Sequence, residues 1–236
     1  MSATIDHTAG LFAGWAPPRD LPFHWHIYDV GSALPAGWTD ELLDVARRQA
    51  ARRSFRPTMT TARETADAVI PLESVDGGVL VEEAPWVNKL YTGWFRQLGE
   101  RLTDEPLELT STANRALSLN VQRGITMRYP CHVDSNPVEG LLYLTDCTEE
   151  TGGGLVVSRN RHARDVSEVD EDAAVIYPRR GQLFFFDARF HPHYVQPLRT
   201  DDALRAVVTM NYYTRSIPEA VRPAGLDEQL FGTGTR

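Results

Sequence analysis

The chain has 236 residues, of which 42% are hydrophobic and 24% charged, and its formal net charge is −8. This length suits one large domain, as all-β barrels often form, and the acidic balance disfavours a nucleic-acid partner, which usually calls for a basic stripe. With only Cys131 and Cys147 no disulfide framework is implied, and no secretory leader or apolar run of ~18 residues occurs, so a cytoplasmic protein without a membrane partner is expected.

Residues 1–37 are rich in glycine, proline and aromatics and read as an irregular arm with one strand around His24–Tyr28. His24 and His26 have the spacing of a ligand pair, but no carboxylate stands beside them, which favours ordinary packing. From Thr39 to Phe55 the pattern is helical, with Thr39 or Asp40 as cap and Leu42, Leu43 and Ala46 on an apolar side. Arg47, Arg48, Arg52, Arg53 and Arg56 fall towards its end, where the macrodipole favours cations. A solvated helix end is the plain reading of this cluster, and a grip on an anionic substrate is the alternative. Residues 57–80 show little periodicity and are expected to form a loop, of a length often seen in lids. A second helix is expected from Pro85, with Val87, Leu90, Tyr91, Trp94, Phe95, Leu98 and Leu102 forming a stripe that packs on a sheet.

Beyond Pro106 the period changes from 3.6 to 2. In 116–122, Leu117, Leu119 and Val121 face one way and Ser118, Asn120 and Gln122 the other. A sheet enclosing a polar ligand would turn that polar face inward. Further strands are expected at 140–145, 153–158, 173–177, 182–187, 193–198 and 204–213. Two helices followed by about seven strands predict a mainly β fold with flanking helices, a double-sheet barrel of jelly-roll type. The charged segment 159–172, including His162, reads as a solvated loop, and the last 20 residues as a polar tail.

The chemistry concentrates in His132-x-Asp134. Residues i and i+2 of an extended segment share a face, so an imidazole and a carboxylate can reach one ion. A second histidine would complete the two-His, one-carboxylate set that leaves half of an octahedral ion open, as suits oxygen-activating Fe(II). His191 and His193 are the candidates. His191 precedes Pro192 and is conformationally restricted, whereas His193 leads into an alternating run, so His193 is preferred. Arg205 follows within a strand otherwise suited to a core. An unpaired buried charge is costly there, so its fork implies a carboxylate ligand. Arg199 lies in a turn and is expected to be exposed.

In order and character, His132, Asp134, His193 and Arg205 resemble the pattern of the Fe(II)/2-oxoglutarate-dependent dioxygenases. The run Glu139–Asp146 followed by Gly152-Gly-Gly-Leu-Val-Val is similar to the prolyl-hydroxylase-like branch of that superfamily. The resemblance covers about residues 110–215. It implies a double-stranded β-helix (jelly roll, cupin-like), with a single oxygenase domain over 1–236: a helical part at about 38–104 and a core at about 110–215. It further implies Fe(II) on His132, Asp134 and His193, with 2-oxoglutarate chelating the iron and pairing with Arg205, and O2 as co-reactant. Asn120, Gln122, Tyr143 and Thr209 would add hydrogen bonds to the cosubstrate. Many relatives carry a serine two residues after the arginine; Val207 stands there, so a second anchor must come from elsewhere.

A radical halogenase would lack the carboxylate, so Asp134 favours hydroxylation. A nucleic-acid demethylase is disfavoured by the acidic balance, and a non-catalytic jelly-roll binding module by the complete residue set. The chain has little room for a protein-recognition domain, so a small-molecule substrate is expected, a free amino acid or an amino-acid-derived natural product. Arg115, Arg128 and the Arg47–Arg56 cluster are the charges available to a zwitterion.

Overall fold

The alternating segments pair into two antiparallel sheets, in a computed structural model that describes residues 21–65 and 67–231. In chain order the strands are β1 (Trp25–Asp29), β2 (Ala51–Phe55), β3 (Ile70–Asp76), β4 (Leu117–Arg123), β5 (Tyr129–His132), β6 (Val138–Tyr143), β7 (Leu155–Ser158), β8 (Ala173–Ile176), β9 (Gln182–Phe186), β10 (His193–Val195) and β11 (Leu204–Tyr212). The larger sheet has the order β1-β9-β6-β11-β4-β3-β2 and the smaller β5-β10-β7-β8, a jelly roll. The helices are α1 (Trp38–Gln49), α2 (Gly77–Glu83), α3 (Pro85–Thr92), α4 (Trp94–Gly99), α5 (Ala113–Ala116), α6 (Val166–Glu171) and α7 (Leu226–Phe231). None of the described helices is long and apolar enough to cross a membrane.

Alternation sorts the large sheet into two faces. Leu119, Leu142, Leu183, Phe185, Val208 and Met210 pack with Leu42, Leu80, Val87, Tyr91 and Phe95 of the helices. On the opposite face Leu141, Tyr143, Phe184, Phe186 and Val207 pack with Leu155, Val157, Ile176 and Val195 of the small sheet. One residue's slip in register would exchange these two sets.

Several expected boundaries are corrected. The helix predicted to Phe55 stops at Gln49; Ala50 turns extended, and Ala51–Phe55 pairs with β3, so Arg52 and Arg53 lie on a strand. Segment 57–80 is not a structureless loop, since it holds β3 and most of α2. Half-buried β3 alternates weakly, and two glycines open α2. A Cβ on Gly77 would come within 1.9 Å of the Ala113 carbonyl, so the close approach of α2 to α5 requires glycine there. The helix from Pro85 is interrupted at Gly93; Val87, Tyr91, Phe95 and Leu98 are buried as expected, whereas Trp94 is exposed. Segment 159–172 contains α6, capped by the Asp165 carboxylate accepting from the Glu168 amide. The supposed polar tail contains α7; residues 1–20 of the predicted arm and 232–236 lie outside the described residues.

Candidate active site

Pairing of β5 with β10 sets His132 directly opposite His193, with ring centroids 4.4 Å apart. Asp134 follows β5, and its Oδ1 lies 3.4 Å from His132 Nε2 and 3.6 Å from His193 Nε2. Among the described residues this is the one cluster of three ligand-type side chains, with all three atoms within 4.8 Å of one another. Backbone carbonyls turn both rings: Nδ1–H of His132 donates to Pro130 O at 2.7 Å, and Nδ1–H of His193 to His191 O at 2.9 Å. Each ring therefore presents a bare Nε2 to the shared point. Burial pushes His193 down to about 4, which keeps it neutral at pH 7. Burial alone would raise Asp134, but the adjoining His193 and His132 outweigh it and hold the carboxyl lowered. Its Oδ2 is buried without a hydrogen-bond partner. Two bare imidazole nitrogens facing an unsatisfied carboxylate are unfavourable alone and fit a divalent cation.

The second orphaned group is Arg205, 4% exposed, on the same face of β11 as Val207, Thr209 and Asn211. Its Nε has no partner and no carboxylate stands within salt-bridge distance among the described residues, while its guanidinium lies 5.7 Å from the Tyr143 ring centroid. The Tyr143 hydroxyl is likewise buried and unpartnered. Gly153 borders this end at φ +75, and a Cβ there would lie 3.3 Å from Arg205 Cδ, so the glycine gives the arginine stem its room. A planar, dicarboxylic acid suits the pair of orphans, one carboxylate on Arg205 and the other end at the cation.

One cavity of about 160 Å³ joins the three ligand-type side chains and Arg205; Tyr143 packs behind Arg205 and is not among the lining residues. The polar side of β4 faces it, as the alternation predicted: Ser118, Asn120 and Gln122 all line it. Ser118 Oγ and Thr209 Oγ are 2.8 Å apart, and Ser118 donates to Asn120 Oδ1. Both amide hydrogens of Gln122 are used by the carbonyls of Met127 and Gln196, so its remaining atom towards a ligand is the unpaired Oε1. The other described histidines stand apart. His191 donates from Nδ1 to Ser158 O, His26 Nε2 contacts Arg101 O, and His24 and His162 are exposed.

Most of the charges offered for a zwitterion are committed elsewhere, and Arg52 and Arg56 are exposed. Arg128 grips Glu64 with two bonds, at 2.6 and 2.5 Å, and Glu64 also accepts from the Cys131 amide. Arg115 pairs with Glu219 and Asp227, Arg47 and Arg48 with Asp44, and Arg53 with Asp76. Sequence reasoning missed the pocket's outer wall. Met59, Thr61 and Ala62 line it, as do Arg222, Leu226 and Leu230 from the end of the chain. Leu226 and Leu230, four residues apart behind an acidic first turn, were the available signal for α7. Glu139 lines the cavity too, and burial together with the nearby Asp134 charge pushes its carboxyl well up.

Residues 117–213 match the family model of the 2OG-Fe(II) oxygenase superfamily. The match spans the jelly-roll strands β4 to β11 and with them His132, Asp134, His193 and Arg205. Similar folds include the α-ketoglutarate-dependent epimerase SnoN of nogalamycin biosynthesis, at 20% identity over 91% of this chain and 88% of that one, with TM-score 0.58. AviO1 from Streptomyces viridochromogenes aligns over 81% of this chain and 91% of its own, at 17% identity and TM-score 0.57. HygX from Streptomyces hygroscopicus, solved with nickel, 2-oxoglutarate and hygromycin B, aligns over 82% and 84%, at 10% identity and TM-score 0.56. No curated protein sequence matches this chain.

Proposed function

We propose that the chain is an Fe(II)- and 2-oxoglutarate-dependent hydroxylase of a small molecule. His132, Asp134 and His193 hold the iron in this reading, and Arg205 receives the far carboxylate of 2-oxoglutarate. The observation that carries it is the pair of orphaned buried groups in one cavity: Asp134 Oδ2 beside two bare Nε2 atoms, and the unpaired Arg205. Iron bound there would couple O2 to the oxidative decarboxylation of 2-oxoglutarate and the insertion of one oxygen atom into a substrate C–H bond.

The chain's own part is positioning and exclusion of water. The Pro130 and His191 carbonyls fix the imidazole tautomers, and Arg205 aligns the cosubstrate with its fork, helped by the Tyr143 hydroxyl. The Ser118, Asn120 and Thr209 chain adds polar contacts along the same wall, and Gln122 lies opposite Arg205 across the β4–β11 pair with its Oε1 unpaired. Asp134 occupies the position a halide would need, which favours oxygen insertion over halogenation.

A free amino acid and an amino-acid-derived natural product are the two substrate readings. The commitment of Arg115 and Arg128 to carboxylates, together with relatives solved with or named for nogalamycin and hygromycin B, favours the natural product. Fe(II), 2-oxoglutarate and 18O2 supplied with candidate substrates are expected to yield succinate and a product heavier by one labelled oxygen. A product isobaric with its substrate, as an epimerase gives, would overturn the hydroxylase reading.

A further inference from the structure

We infer that Glu139 determines substrate choice and that it selects a small molecule bearing a protonated amine, an inference that rests on the hydroxylase reading. Glu139 lies on the pocket face of β6, opposite Asn211 on one side and Phe186 on the other. It lines the same cavity as His132, Asp134 and His193.

The charges around the cavity decide the sign of that group. Three arginines line it. Arg205 lies at the cosubstrate end, Arg128 is doubly bonded to Glu64, and Arg222 is bonded to Asp227 at 2.8 Å. No lysine lines the cavity. Glu139 makes no salt bridge among the described residues; Arg222, engaged by Asp227, is the cation that acts on it. Glu73 is answered by Arg123. Glu139 is therefore the acidic group at the substrate end without a committed counter-charge, and a cation placed beside it would hold its carboxyl ionised.

The polar neighbour agrees. Asn211 gives one Nδ2–H to the Arg115 carbonyl, which turns the amide and leaves its Oδ1 acceptor and one N–H. A carboxylate and an amide oxygen side by side are complementary to an ammonium, which has several donors and no acceptor. A substrate carboxylate at this end would meet Glu139 with no free arginine to receive it, and that repulsion works against zwitterionic amino acids.

The test uses the full chain loaded with nickel, which cannot turn over, and 2-oxoglutarate. Hydroxylated amines and amino sugars, the same compounds N-acetylated, and free amino acids would be titrated calorimetrically. Amines are expected to bind, N-acetylation to abolish most of the affinity, and Glu139→Gln to weaken amines about 10- to 100-fold, as loss of a charge-assisted contact implies. Glu139→Asp should recover part of the loss. Unchanged affinity in Glu139→Gln, tighter binding of amino acids, or amines no better than their acetylated forms would each overturn the proposal. Nickel-dependent 2-oxoglutarate binding by the wild type is the separate check: its failure would sink the hydroxylase reading, whatever Glu139 does.

Discussion

The two ends of the cavity are built differently. The inner end, around Arg205 and Tyr143, comes from central strands of the large sheet, where each residue's direction is locked by pairing on both sides: β11 lies between β4 and β6. The outer end takes Glu139 and Asn211 from the same strands, but its remaining wall comes from segments with few partners, the stretch near Met59–Ala62 and the C-terminal turn into α7. These outer pieces are fastened by ion pairs and side-chain bonds instead: Arg115 and Arg222 to Asp227, Ser111 to Glu219, Gln229 to Thr58. A chain that keeps its cosubstrate end rigid and assembles its substrate end from peripheral segments can alter specificity without disturbing the chemistry.

Removing the metal ligands should affect both ends and have the largest effect. His132→Ala, Asp134→Ala and His193→Ala are each expected to eliminate succinate formation and to lower the bound iron measured by elemental analysis. His191→Ala should retain iron, since that ring donates to Ser158 O and lies outside the cluster. Iron lost in His191→Ala but kept in His193→Ala would reassign the distal ligand.

Next in size is Arg205, the inner end alone. Losing one side of a buried charged pair costs about 3–5 kcal/mol, so Arg205→Ala should weaken 2-oxoglutarate by roughly two to three orders of magnitude. Arg205→Lys should recover only part, because a point charge does not reproduce the fork. Iron content should stay. Without 2-oxoglutarate, Arg205→Met should melt no lower than the wild type, since the guanidinium there is buried and unpaired; added 2-oxoglutarate should stabilise the wild type alone. Equal affinity for 2-oxoglutarate in Arg205→Ala would move the anchor elsewhere.

The contrast between the two ends also explains what the sequence revealed. The inner end was legible because strand alternation survives burial: Ser118, Asn120 and Gln122 had to share a face, and a lone arginine among Ala206, Val207 and Val208 demanded an anion. His193 could be separated from His191 by the restriction that Pro192 imposes on its predecessor. The outer end was not legible, for physical reasons. β2 and β3 are held by edge pairing rather than by a clean apolar alternation, and Arg52 and Arg53 look equally at home at a helix end. The pairings of Arg128 with Glu64 and of Arg115 with Glu219 and Asp227 span 64, 104 and 112 positions, beyond any local pattern. Arginines that read as free for a substrate were therefore already taken.

A smaller effect is expected at the joint between the ends. Glu64 ties Arg128 and the Cys131 amide, one residue before His132, to the segment that lines the outer wall. Glu64→Ala should cost roughly 1–3 kcal/mol in a denaturant melt, as expected for hydrogen bonds to a charged group. Because β5 carries His132, iron affinity should fall as well, while Glu64→Gln keeps part of both. A melt unchanged in Glu64→Ala would show that β5 is positioned by its pairing to β10 alone.

The smallest effect concerns Asp227, which holds the outer end. Burial works against its charge, but Arg115 and Arg222 outweigh that and hold its carboxyl below the usual range. A lowered folded pKa means that the stabilisation is complete above the ordinary aspartate value of about 3.9. It is lost as pH falls through the folded value. Arg115 and Asp227 are each about a third exposed (37% and 34%), so Asp227→Asn should cost under about 1 kcal/mol at pH 7. The gap between the wild-type and variant melts should narrow in 1 M salt, where the Debye length is about 3 Å, and close near pH 2. Unpairing Arg222 beside Glu139 should weaken amine ligands while 2-oxoglutarate affinity stays the same. An Asp227→Asn protein that loses 2-oxoglutarate and amine affinity together would mean that the two ends are not independent.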